Sequence, residues 1–438
     1  MNGSTAVAVF WFRRDLRLED NTGLLHALRS GYQVLPVFIL DTEILDRLEE
    51  KTDRRVAFIT AALGELNKKL TIAGSSLMVL HGTPEAAFLK IIGEYDVKAV
   101  FTNHDYEPYA TARDERISLL LKASGIHFRS FKDQVILEKD EVVKSDGTPY
   151  TVFTPYSRAW KKRITVQDTE SQPSEKYAGN FLKMLPASIP GPAEIGFIHT
   201  DTVPPEPLIN TETIRNYHLT RDIPSVEGTT RLGVHLRFGT VSIRRLVRVA
   251  LDLNETWLNE LIWREFFMSI LWHFPHVTDN SFKTRYEAMQ WRNNEEEFDR
   301  WCNGMTGYPI VDAGMRELNT TGFMHNRVRM ITASFLAKHL LTDWRWGEAY
   351  FAGKLLDYEL SSNNGNWQWA AGTGCDAAPW FRIFNPAEQM RKFDPQMRYI
   401  RRWVPELDSC SYPRPVVDHS QARERALATY SRGPGRSI

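Results

Sequence analysis

The hydrophobic positions change period partway along the chain. Short apolar runs rich in β-branched and aromatic residues occur at 6–12 (AVAVFWF), 33–40 (QVLPVFIL), 76–82 (SLMVLHG) and 98–103 (KAVFTN). Runs of that length and composition predict buried strands. Helix-period stretches lie between them, clearest at 53–72 and 83–95. The second opens on Thr83-Pro84-Glu85, an N-cap followed by proline at the first helical position. Strands alternating with helices predict a parallel, doubly wound, Rossmann-like sheet over residues 1–135. From 136 to 207 neither period holds. KSDGTPYTVFTPYSRAW gives way to a Pro/Ser/Gly-rich tract through Pro207, and the stretch reads as a connector between domains. Beyond it helical patterns dominate, at 241–253, 257–274, 310–320, 325–342 and 344–360, so 208–438 reads as an all-helical domain. In 257–274 (WLNELIWREFFMSILWHF) apolar residues fall on nearly every face, which predicts burial on most sides.

Composition narrows the class without naming a chemistry. A chain of 438 residues exceeds one ordinary core, which agrees with two domains and a connector. With 42% hydrophobic and 25% charged residues it falls among globular proteins. No uncharged apolar run approaches the ~18 residues of a membrane span. The opening segment lacks a basic start and a small-residue cleavage site, so the expectation is an intracellular, cytoplasmic protein. Cys302, Cys375 and Cys410 are odd in number and widely spaced, which predicts neither a disulfide framework nor a metal site. The 54 basic and 54 acidic side chains cancel, so any nucleic-acid surface must be a local patch. Two runs qualify: 231–248, with Arg231, Arg237, Arg244, Arg245 and Arg248 and no acid, and the basic stretch 382–402. Either reads equally as a solvated face. Eleven of the thirteen tryptophans follow residue 250, more than core packing usually requires.

Several polar residues interrupt the apolar helices. Glu260 lies one turn from Trp263, and Asn326 shares a face with Arg329. Asp357 and Glu359 precede the polar run SSNNGNWQW at 361–369. Buried charges must be paired or serve a ligand, and an Arg329–Asp357 ion pair is the simplest outcome. The run Asn363-Asn364-Gly365-Asn366-Trp367-Gln368-Trp369 sets amides beside two indoles, which suits a flat heterocycle. Gly372-Thr373-Gly374-Cys375-Asp376-Ala377 has the spacing of a dinucleotide loop but follows a helical stretch, so it reads as coincidence. No such loop follows the first strand. VEGTTRL at 226–232 reads either as a phosphate-binding turn or as a simple capped turn.

Taken together, WFRRDLRLEDNTGL, EGTTRL, WLNELIWREFF, TGYPIVDAGMRELNTTGFMHNRVRMITASFL, SNNGNWQWAAGTGCDAAPWFRIFNP and FDPQMRYIRRWVPEL resemble the photolyase/cryptochrome family in order along the chain. The likeness is greatest to its class I members acting on cyclobutane pyrimidine dimers. It implies a bent FAD in the helical domain. Tyr217, Thr229, Thr230, Arg231, Leu232 and Gly233 would hold its phosphates and ribityl chain, with Gly233 replacing a frequent serine. Trp257, Glu260, Arg264, Asn326, Arg329, Asp357, Glu359 and Asn363 would line the rest, with Asn363 facing the flavin N5. Glu359 stands where aspartate is common. The resemblance further implies that reduced FAD donates an electron under blue or near-ultraviolet light to a dimer flipped from double-stranded DNA. Trp263, Trp369 and Met330 would pack on the lesion, and Glu260 would hydrogen-bond a pyrimidine. Arg327, Arg382 and Lys392 would contact phosphates. Trp367, Trp344 and Trp291 would relay electrons to the flavin. Glu107 matches a residue that contacts methenyltetrahydrofolate in some members, whereas others carry a deazaflavin antenna. A monomer, associated with the nucleoid when on DNA, is expected.

Three other functions compete. A blue-light receptor shares the resemblance, but only about thirty residues follow the last motif near 407, and plant-type receptors commonly carry aspartate at the position of Asn363. A (6-4) photolyase has a His-rich stretch where this chain reads His325-Asn326-Arg327-Val328-Arg329-Met330. A generic flavin oxidoreductase needs a nicotinamide site, for which the sequence offers no motif.

Overall fold

A computed structural model describes residues 6–200 and 205–431; part of the connector, 201–204, lies outside them. Contacts divide the chain into two units. One comprises 1–141, 162–209 and 231–252, and the other 142–161, 210–230 and 253–438. This differs from the boundaries read from the sequence, because the connector is shared out and 231–252 joins the α/β unit.

The α/β unit is built on five parallel strands in the order β3-β2-β1-β4-β5. β1 (Ala6–Phe12), β2 (Gln33–Asp41), β3 (Met78–Gly82) and β4 (Asp96–Asn103) fall where the apolar runs predict them. β5 (His127–Phe131, HFRSF) has no such signal: it is a short edge strand with no buried residue. β1 is central, and six of its seven residues are buried, as expected of a parallel strand covered on both faces. Pro36 is tolerated inside β2 because the pairing with β3 begins only at Val37, leaving no ladder partner on that side. The helix Pro84–Glu94 is capped by Thr83, whose side chain accepts from the Ala86 N–H.

The opening motif forms a buried polar knot beyond the end of β1. Arg17 donates to Asp133 at 2.6 Å, and Arg244 donates to Asp20 and Asp133 at 2.8 Å each. Burial pushes the Asp133 carboxyl up, but Arg17 and Arg244 overcome it and hold it at about 2. Arg237 pairs with Glu107, and Arg248 donates to the Thr169 carbonyl. Three of the five arginines in 231–248 are therefore spent inside the unit, and the run is not a free basic patch.

The other unit is helical. Glu255–His273 is its longest helix, and Pro309–Thr321, Asn326–Ser334, Trp344–Lys354 and Leu360–Ala371 build one large apolar cluster containing Trp301, Trp344 and Trp367. The helix Glu255–His273 buries twelve of its nineteen residues. Two expectations need revision. The pattern at 325–342 is not one α-helix: after Ser334 it widens into a π-helical turn, Phe335–Leu340, with all six side chains buried. The helix from Trp344 stops at Lys354 rather than 360, because Leu355 turns extended and the Leu356 N–H bonds the Gly322 carbonyl. Within the connector, Phe153–Arg163 is a helix. Its Ser157 and Trp160 bond Asn259 and Glu265 at 3.1 and 2.6 Å. Gly372 ends the helix Leu360–Ala371 in a left-handed conformation (φ +88°), so the G-x-G-x-x-A match is a helix C-cap and not a phosphate loop.

Candidate functional site

The extended stretch after Lys354 and the helix Leu360–Ala371 bring the polar residues of 357–369 to one cleft. It encloses about 580 Å³ of space, part of it open to solvent. Its walls include Asn326, Arg329, Met330, Asp357, Glu359 and Asn363, with Trp367 and Trp369. Eight sequence-selected residues thus converge, although they are spread over 44 positions. Asn326 and Arg329 reach it because they share one face at the start of a helix.

The cleft holds one cation–anion pair. Arg329 Nη2 lies 3.1 and 3.0 Å from the two Asp357 oxygens, while its Nε donates to the Met324 carbonyl at 2.7 Å. Both side chains keep some exposure, 25% and 21%, so the pair forms part of the wall rather than the core. Arg264 is not paired with Glu260. It reaches Glu359 at 3.1 Å, which ties the helix Glu255–His273 to the cleft. Glu260 instead pairs with Arg221 at 2.6 Å, and the guanidinium of Arg221 covers the Tyr217 ring. Burial pushes the Glu260 carboxyl up, against the pull of Arg221.

Asn363 is oriented by a residue that the sequence reading missed. Its amide donates to the Glu348 carbonyl at 3.1 Å and to Glu348 Oε1 at 2.8 Å. Burial raises the Glu348 carboxyl, opposed by that hydrogen bond. A single glutamate in the apolar context WRWGEAYF was the available signal. Arg221 and Asp222 were also missed; nothing in their local sequence marks them.

The remaining selected residues take these places. Trp257 is buried on the helix Glu255–His273. Trp263, on the same helix, is absent from the lining of the cleft. One of its faces stacks on Phe153 at 3.6 Å and 6°. Trp344 and Trp367 lie in the same buried cluster, and Trp291 packs against it, half-buried. Gly347 lets the Trp367 ring approach: a Cβ there would fall 2.1 Å from it. Thr229 and Thr230 are half-buried in the loop of the helical unit. Arg231, Leu232 and Gly233 are grouped with the α/β unit, where Leu232 is buried and Arg231 has φ +50°. Arg327 is engaged with Asp222 at 2.6 Å and lies over Phe393. Arg382 and Lys392 are exposed. Glu107, in the α/β unit, is shared by Arg14 and Arg237.

These residues fit a planar heterocycle. Asn326 supplies an amide donor and acceptor, Asn363 and Asn366 supply amide oxygens, the Arg329–Asp357 pair supplies both charges, and Trp367, Trp369, Phe351 and Tyr358 supply apolar faces. Among the described residues no cluster of His, Cys, Asp or Glu is arranged to hold a metal. Among the described residues no helix is long and apolar enough to cross a membrane.

Residues 257–411 match the model for the FAD binding domain of DNA photolyase, and residues 8–175 match that for DNA photolyase. The chain is 37% identical to the deoxyribodipyrimidine photo-lyase of Escherichia coli, over 96% of this chain and 97% of that one. Among solved structures it resembles a bacterial class III photolyase from Agrobacterium tumefaciens (33% identity, TM-score 0.87, 98% of each chain). It also resembles an archaeal photolyase from Sulfolobus tokodaii with two FAD molecules (34% identity, TM-score 0.79, 97% of this chain and 99% of that one).

Proposed function

The chain belongs to the photolyase/cryptochrome family, and from that premise we propose that it reverts cyclobutane pyrimidine dimers in double-stranded DNA under blue light. It carries the family's FAD-binding domain. When bound, reduced FAD supplies light absorption and the transferable electron. The observation that carries the reading is the cleft itself: an anchored guanidinium–carboxylate pair, an amide fixed by Glu348, and Trp367 and Trp369 in one wall.

The protein's own residues bind and orient. Arg329 and Asp357 together hold a neutral, hydrogen-bonding rim for the heterocycle, so neither charge is left alone when the cleft is covered. Asn363 presents the free side of an amide whose N–H groups are already committed. Met330 and Trp369 give the lesion an apolar seat in the wall of the cleft. Trp263, stacked with Phe153 and Phe267, stands on the helix Glu255–His273 as a further aromatic contact for the lesion. Glu260 holds a carboxyl near a pyrimidine edge, with Arg221 as its counter-charge. Trp291, Trp344 and Trp367 carry electrons inward, from the half-buried margin of the cluster toward the cleft. An antenna in the α/β unit is also proposed, methenyltetrahydrofolate or alternatively a deazaflavin. Glu107 can serve the folate only by sharing its carboxylate with Arg14 and Arg237.

The test is binding of dimer-containing and intact oligonucleotides in the dark, followed by repair yield under blue light. Trp263→Ala and Trp369→Ala should each weaken dimer binding about 5- to 150-fold, the loss of one stacking face. Binding to intact DNA should change little, because it rests on charge. A wild-type protein that binds both DNAs equally and repairs neither would remove this reading in favour of a light receptor. Repair confined to (6-4) lesions would move the substrate.

A further inference from the structure

The π-helical turn Phe335–Leu340 buries a lysine for which the site described above has no use. Lys338 is 1% exposed. Its Nζ donates to the Arg382 carbonyl at 2.9 Å, and no carboxylate pairs with it among the described residues. Burial, with Arg382 nearby, lowers its pKa to about 8. A buried ammonium without a counter-ion is costly, whereas an unbranched apolar side chain would fill the same channel freely. What the lysine adds is one charge-assisted hydrogen bond.

The position of that bond indicates its use. Residues 379–384 (PWFRIF) follow the helix Leu360–Ala371 and its cap, and they form no regular element. Trp380 and Ile383 pack inward against the cluster of Tyr286, Met289, Leu341, Ala426 and Tyr430. Phe381 and Arg382 point outward; Phe381 is 61% exposed. The turn bond Arg382 N–H to Pro379 carbonyl is internal to this stretch. Among the described residues, the Lys338 bond is the only hydrogen bond tying 379–384 to the rest of the unit. It acts on the peptide that carries the Arg382 side chain.

We propose that Lys338 is a positioning residue for nucleic acid, fixing the backbone of residue 382 so that the exposed Arg382 guanidinium meets a phosphate. This rests on the reading of the protein as a DNA-repair enzyme. A π-turn is a suitable device, since the extra residue rotates one side chain out of α-helical register, and such turns recur at functional sites.

A double-mutant cycle on the FAD-loaded full chain tests it. Dark binding to a dimer-containing oligonucleotide is measured across a salt series for wild type, Lys338→Met, Arg382→Ala and the double variant. Each single variant should bind about 2- to 5-fold more weakly, the size of one surface charge contact. Each should also flatten the salt slope by about one unit. The double variant should be no weaker than Arg382→Ala, because both remove the same contact. FAD content and repair yield at saturating protein should stay at wild type in Lys338→Met, a result that a general loss of packing would not give. Lys338→Gln, which keeps a neutral donor, should fall between wild type and Lys338→Met. It carries the test if the Met variant does not fold. Wild-type binding by Lys338→Met, or additive losses in the double variant, overturns the proposal. An unchanged salt slope in Arg382→Ala overturns it through its premise, while the repair reading is decided separately by wild-type preference for damaged DNA.

Discussion

Arg329→Ala is the most direct probe of the cleft. The substitution removes two N–H···O contacts to Asp357 and one to the Met324 carbonyl. Full burial of the pair would make the orphaned carboxylate cost about 3–5 kcal/mol. The structure lowers that figure. Asp357 is 21% exposed, so in the apoprotein water can replace part of what the guanidinium supplied, and destabilisation should be only about 1–2 kcal/mol. The larger cost appears when FAD covers the cleft and excludes that water. Loss of a charge-assisted pair in the closed site should then cost about 2–3 kcal/mol, or roughly 30- to 150-fold in FAD affinity. The assay is titration of apoprotein with FAD, read by fluorescence, together with the thermal midpoint of the apoprotein. Arg329→Lys should fall in between, because a point charge cannot reproduce the fork. Asp357→Asn should be non-additive with Arg329→Ala, since the two form one pair. FAD affinity within twofold of wild type in Arg329→Ala would refute the reasoning and leave the ion pair as a structural feature.

Three further outcomes are expected. Trp367→Phe should abolish photoreduction of oxidised flavin by an external reductant while sparing repair by chemically reduced enzyme; unchanged photoreduction rates would dismiss the relay. Gly347→Ala should destabilise the helical unit by about 1–3 kcal/mol in denaturant unfolding, because its methyl would lie 2.1 Å from the Trp367 ring and 2.5 Å from Leu336; a neutral effect would mean that the ring moves freely. His339 is buried, and burial first, then His419, Arg425 and Lys338, lower its pKa to about 3. The unfolded chain therefore takes up a proton below about 6.5 that the folded chain refuses. Stability from this group is full above 6.5 and is lost at about 1.4 kcal/mol per pH unit as pH falls toward 3. His339→Phe should flatten that part of the stability–pH curve, and an unaltered slope would place the titration elsewhere.

The sequence by itself determined what local periodicity and short motifs can carry. Four strands were legible because a central parallel strand is apolar on both faces. The helix Glu255–His273 was legible because its hydrophobicity runs all round. The Arg329–Asp357 pair was legible because two opposite charges in apolar surroundings have few other ways to be satisfied. Even Gly372-Thr373-Gly374 could be set aside, since no strand precedes it. Tertiary structure decided everything that depends on which distant group fills a given space. β5 exists only because β4 offers its edge. Arg264 turned to Glu359 and left Glu260 to Arg221, a choice that spacing along one helix could not reveal. Most of the basic run 231–248 dissolved into ion pairs and a carbonyl contact, because the acids that meet it lie about a hundred or more residues earlier. The end of the helix at Lys354, the π-turn after Ser334, and the partners of Asn363 and Lys338 follow from packing as well. A carbonyl or carboxylate brought near by the fold costs free energy when left unpaired, and the chain bends to meet it.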